Sequence, residues 1–155
     1  MDRIARKSVH VEVEVARPFP VYDTGIRPKL RDALRRVKVN VSKIFLGVFN
    51  AQVGNNAGVW KGVIGQCVDA NLNVNGRILL RLSYNNVLCI MNTFFQHRDL
   101  HKYTWCRNSL GQRSLFDFCI VSTDLFRSSL DVRVKGVKNY QPIITWCCLT
   151  YVLKN

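Results

Sequence analysis

Acidic residues are scarce in this chain. Ten Asp and Glu stand against 23 Lys and Arg, which leaves a formal charge of +13 on 155 residues. A surplus of that size argues for a polyanionic partner, because each phosphate neutralised releases counterions; a basic but unengaged surface is the alternative. Long apolar runs are also missing. Nothing approaches the roughly 18 residues that span a bilayer, so no membrane partner is expected. The opening "MDRIARKSVHVEVEV" sets glutamates where a secretory signal needs an apolar stretch. The expectation is an intracellular protein of nucleus or cytoplasm, not a secreted one. The six cysteines form no C-x-x-C pair and no zinc-like spacing. Most lie inside apolar runs, where a thiol acts as a small buried hydrophobe. There is no Gly-x-Ser-x-Gly elbow, no phosphate-binding P-loop and no Gly-x-Gly-x-x-Gly. No internal repeat is found.

What is present is enough for one domain. Hydrophobic residues make up 48% of the chain, which supports a core and speaks against wholesale disorder. "VHVEVEV" (Val9 to Val15) alternates strictly and predicts a half-exposed strand. "PKLRDALRRVK" places Leu30, Ala33, Leu34 and Val37 on one helical face with a basic outer side. A buried strand follows from Lys43 to Phe49, then a loop rich in Gly and Asn from Gln52 to Asn75. A second helix is expected over Asn75 to Asn86. Strands are expected at Val87 to Met91, Tyr103 to Cys106 and Ser114 to Ser122, the last read as one apolar run. "STDLFRSSL" reads as a short capped helix, "DVRVKGV" as a strand and "IITWCCLTYVL" as a final strand. Helices interleaved with strands predict an α/β or α+β layer fold.

Within "IFLGVFNAQV", Val48 and Asn50 should face the same side of a strand. Asn50 stands at the strand's carboxyl end, where open α/β folds collect chemistry. A valine beside it is unexpected for such a site.

The segments "GVFNAQVGNNAGVWKGVIG", "NGRILLRL", "LCIMNTFFQHRDLHKYTWCRNSLGQRSLFDFCIV" and "DVRVK" resemble the endonuclease domains of LINE-type (non-LTR) retrotransposons. The likeness is strongest to genome-resident copies catalogued as craniofacial development protein 2-like, within the endonuclease/exonuclease/phosphatase superfamily. It covers roughly residues 30 to 136. It implies a partial DNase I-like four-layer αββα sandwich, with residues 28–155 as the C-terminal part of the domain behind a drifted or unrelated leader, 1–27. It also implies hydrolysis of a DNA phosphodiester assisted by Mg²⁺, an ion that takes hard oxygen ligands and keeps several waters.

Carried over residue by residue, the family's Gly-Asp-Phe-Asn stands here as Gly47-Val48-Phe49-Asn50. Asn50 is kept, and the acid has become Val48, which can neither accept a proton nor bind a cation. Asp117 matches the aspartate that supports an active-site histidine. The Asp-His pair supplying that histidine is replaced by Gln141-Pro142 if the last strand keeps its register. The upstream metal-binding glutamate has no counterpart, since Glu12 and Glu14 lie in an alternating strand. Tyr103-Thr104-Trp105 matches a strand that borders the DNA-binding rim, where these aromatics beside Lys102 and Arg107 would stack on a base or sugar, core packing being the alternative for Trp105. Arg113, in a basic loop before Asp117, would touch phosphate or else stand as a solvated charge. Asn92-Thr93-Phe94 matches an element that shapes the adjoining loop. His97 and His101, four apart, lack the glutamate of a zinc helix. The expectation is a degenerate, inactive nuclease fragment in which Mg²⁺ is not bound productively. A non-catalytic nucleic-acid-binding module and a surviving Mg²⁺-dependent endonuclease are the alternatives. An uncovered sheet face would favour self-association.

Overall fold

Alternation along three strands sets the two faces of the central sheet. The computed structural model describes residues 9–13, 26–38, 40–107, 110–135 and 148–153. In it β1 (Val9–Val13), β2 (Ser42–Val48), β3 (Leu88–Ile90) and β6 (Asp117–Ser122) form a sheet in the order β1-β2-β6-β3. β1 runs parallel to β2, while β6 is antiparallel to both β2 and β3. Phe45, Leu88, Ile90, Phe118 and Ile120 enter one cluster; Ile44, Cys89, Cys119 and Val121 enter another. Both sets obey the period of two that sends successive side chains to opposite faces. Residues 118–121 are buried on both faces, which is why that stretch reads as nearly continuous apolar sequence.

Helices cover the first face. α1 (Ile26–Arg36) sends Leu30 and Ala33 inward, and α2 (Val74–Asn85) sends Leu79 and Leu80. The other face receives Val132 from β7 (Ser129–Lys135), which pairs with β8 (Cys148–Leu153) as a two-stranded ribbon. Helix, sheet and ribbon stack as three layers. Among the described residues no helix is long and apolar enough to cross a membrane.

Three expectations are corrected. The run from Ser114 to Ser122 is two strands, β5 (Gln112–Ser114) and β6, rather than one. Its ladder breaks because buried Thr104 takes over: Thr104 Oγ1 accepts from the N–H groups of Phe116 (2.9 Å) and Asp117 (3.2 Å). β4 (Trp105–Arg107) pairs with β5 and starts two residues later than expected, because Tyr103 ends the short helix α3 (Asp99–Lys102). The capped helix after Ser122 is a 3-10 turn, Thr123–Ser128.

Candidate functional site

β2 and β6 end side by side at one edge of the sheet, and the register there is Gly47↔Phe118 and Val48↔Asp117. Directly opposed residues leave an antiparallel ladder on the same face. Val48 and Asp117 are therefore neighbours on the ribbon side of the rim. One more rung, Phe49 N–H to Phe116 O at 2.9 Å, carries the pairing past the strand, and the Phe49 and Phe118 rings lie 6.3 Å apart.

The chain then turns at Asn50, whose φ is +47°. Asparagine tolerates this left-handed region better than most residues. The alternation expected to place Val48 and Asn50 on one face therefore stops at the strand's end. Two side-chain amides hold the turn: Asn73 Nδ2 and Asn75 Nδ2 donate to Asn50 O at 3.1 and 3.3 Å. Asn73 Oδ1 accepts from Gln52 N at 3.0 Å and caps α2 by accepting from Gly76 N at 2.7 Å. The fit needs glycine, since a Cβ on Gly76 would lie 1.8 Å from Gln52 O. Neither Asn73 nor Asn75 was singled out from sequence, although Asn three residues before Gly at a helix start is a cap signal.

Burial pushes the Asp117 carboxyl up to about 6, against an opposing hydrogen bond with Thr104. Asn92, in the 3-10 turn Met91–Thr93, donates to Asp117 O (3.3 Å) and accepts from Cys119 N (2.7 Å). Its neighbour Thr93 accepts from Gly65 N at 2.8 Å. Asn92-Thr93 thus clamps the long loop around Gly65 onto the sheet.

Of the rim residues, Trp105 packs its ring 5.9 Å from Phe116, next to Asp117. The Tyr103 hydroxyl donates to Asp69 at 3.1 Å, and Lys102 pairs with the same carboxylate at 2.8 Å. Arg113 stands in solvent, 3.3 Å from an equally exposed Asp99; such pairs contribute little. Arg107 closes β4, and its side chain lies outside the described residues, as do Gln141 and Pro142. His97 and His101 meet the carbonyls of Val132 (3.1 Å) and Val134 (3.0 Å), and His97 also meets Asp131 at 2.8 Å. They fasten α3 and its approach to β7. Among the described residues no group of three or more His, Cys, Asp or Glu is placed to hold a metal ion.

No family model and no curated protein matches the chain. Among solved structures, the endonuclease domain of TRAS1, a telomere-specific non-LTR retrotransposon, is similar with a TM-score of 0.53 at 16% identity. The match covers 83% of this chain and 50% of that one, so the chain spans about half the length of the structure it resembles. The fold is therefore α/β and endonuclease-like, of the kind seen in that retrotransposon domain.

Proposed function

We propose that this chain is a retrotransposon endonuclease domain, akin to the craniofacial development protein 2-like copies, that has lost phosphodiester hydrolysis and keeps affinity for DNA. One observation carries the reading: the residue facing Asp117 across the β2–β6 ladder is Val48. A carboxylate there would stand beside a second one on the same face. That arrangement could share a cation or pass a proton. Loss of a positioned acid or base costs about 10²–10⁴ in rate. The donor set does not fit magnesium, which calls for one or two carboxylates among its hard oxygens. Asp117 is half-buried and faces no second carboxylate across the ladder. The groups gathered about the turn are the carbonyl of Asn50, the N–H of Gln52 and the side-chain amides of Asn73 and Asn75.

Binding without chemistry is supported by the charge of +13 and predicts a steep fall of DNA affinity with salt. The test of the main reading is nicking of supercoiled plasmid by the folded chain in Mg²⁺. The expected result is no relaxation beyond an EDTA control. Relaxation that EDTA abolishes would overturn the reading in favour of a working endonuclease. A Val48→Asp variant gives a second readout: Mg²⁺ should raise its melting temperature and leave the parent's unchanged.

A further inference from the structure

The ladder that sets Val48 against Asp117 has another end. There Lys43 N–H donates to Ser122 Oγ at 2.8 Å. Five residue steps along β2 separate the two ends, roughly 17 Å at about 3.4 Å per residue. At this far end α1 and α2 flank a continuous trough. Arg31 and Arg35 form one wall and Arg81 the other, with Leu34 and Leu82 between them. Leu34, Asn85 and Asn86 continue into a wider reach of ≈ 620 Å³ that passes Lys43.

Arg31 and Arg35 lie one turn apart on α1, so their side chains project together. All three arginines are exposed. Arg35 meets Asp32 at only 3.9 Å, with both side chains largely in water, a pair worth little. Among the described residues Arg31 and Arg81 have no carboxylate partner. One carboxylate, Asp124, lines the distant part of the wide reach and accepts from the Ser42 hydroxyl.

We propose that this trough binds the phosphodiester backbone of a nucleic acid, at a site separate from the Val48–Asp117 end. A tetrahedral phosphate presents oxygens to both walls at once and can take a guanidinium fork from each. Asn85 and Asn86 add neutral donors along the same path. Among the described residues no aromatic side chain lines the trough, and these offer no platform for stacking bases. Contact to the backbone alone makes binding indifferent to sequence. The site stands whether or not the opposite end hydrolyses anything.

The test is binding of a fluorescent 20-base-pair DNA duplex across a salt series. It compares the parent, R31Q/R81Q, and K61Q/R127Q, which removes the same charge elsewhere. Each phosphate contact contributes about 0.9 to the slope of log K against log salt. R31Q/R81Q should therefore lower the slope by about 2, and K61Q/R127Q by much less. Equal slopes for the two variants, or no binding by the parent at low salt, overturn the proposal. A second measurement needs no variant: DNA should protect Arg31 and Arg81, but not Arg127, from an arginine-selective dicarbonyl, read by mass spectrometry. Equal labelling at all three overturns it as well. An RNA duplex of the same length separates the two sources of backbone. A poly-glutamate peptide that protects Arg31 and Arg81 better than either assigns the trough to acidic protein and overturns it.

Discussion

Asp117 shows how one neighbour decides what a carboxyl can do. Burial raises it from its ordinary value near 3.8 to about 6, and the residue opposite is a valine with no charge to offset the anion. A raised folded-state value means the native chain binds the proton more tightly than the unfolded chain does. Stability should therefore fall as pH rises from about 4 to 6. The loss is on the order of 2–3 kcal/mol, since each tenfold difference in proton affinity between folded and unfolded chain is worth about 1.4 kcal/mol. Asp117→Asn should recover much of that loss at pH 7.5, by about 1–2 kcal/mol, and show no gain at pH 4. Urea unfolding at the two pH values measures it; an equal effect at both would place the origin in packing rather than charge. Strand alternation brought Val48 and Asn50 to notice in the sequence, and the family resemblance brought Asp117. That Val48 and Asp117 face each other depends on a register that joins residues 69 positions apart, which no local pattern encodes. Arg113 was legible as a basic residue, but its pairing with Asp99 was not.

Among the elements, those ruled by period were readable: the alternation of β1 and β2, and the amphipathic faces of α1 and α2. Those ruled by a distant hydrogen bond were not. Thr104 splits the apolar run before Asp117, and no feature of residues 114–122 announces it. Val87 is a comparable case, a β-branched residue at φ +56° between α2 and β3, where local preference would forbid it. Its carbonyl accepts from Thr123 N at 3.1 Å. The start of α2 gives a test of this long-range control. Asn73 caps the helix and binds Gln52 and Asn50 at once. Asn73→Ala should cost about 2 kcal/mol, more than the ~1 kcal/mol typical of a lone cap. Asn73→Asp keeps the accepting oxygens and should cost less. Denaturant unfolding of both variants separates the cap from the brace on Asn50.

Across the whole molecule, charge and fold pull against each other. A chain of net charge +13 repels itself when compact, and the exposed arginines of α1 and α2 concentrate that repulsion on one layer. Raising NaCl from about 50 to 500 mM should screen it and raise the melting temperature by a few degrees. The same salt should release bound DNA, so stability and binding move in opposite directions along one titration. A layered α/β or α+β fold was expected from interleaved helices and strands, and the likeness to the TRAS1 domain agrees with it. What composition could not give is that Arg81 of α2 stands beside Arg31 of α1 along one trough.

Asn92 carries a further consequence. Its amide bonds both Asp117 O and Cys119 N, and so stands in for the peptide group of a strand that β3 is too short to supply. The Cys119 amide proton is therefore shielded from exchange with deuterated solvent by a side chain, on an edge where no neighbouring backbone protects it. Replacing Asn92 with Ala would let that proton exchange through local fraying while protons deeper in β6 stay protected. Rigidity at this point of the rim is in this way reinforced by one side chain, alongside the Thr104 hydroxyl that holds Phe116 and Asp117.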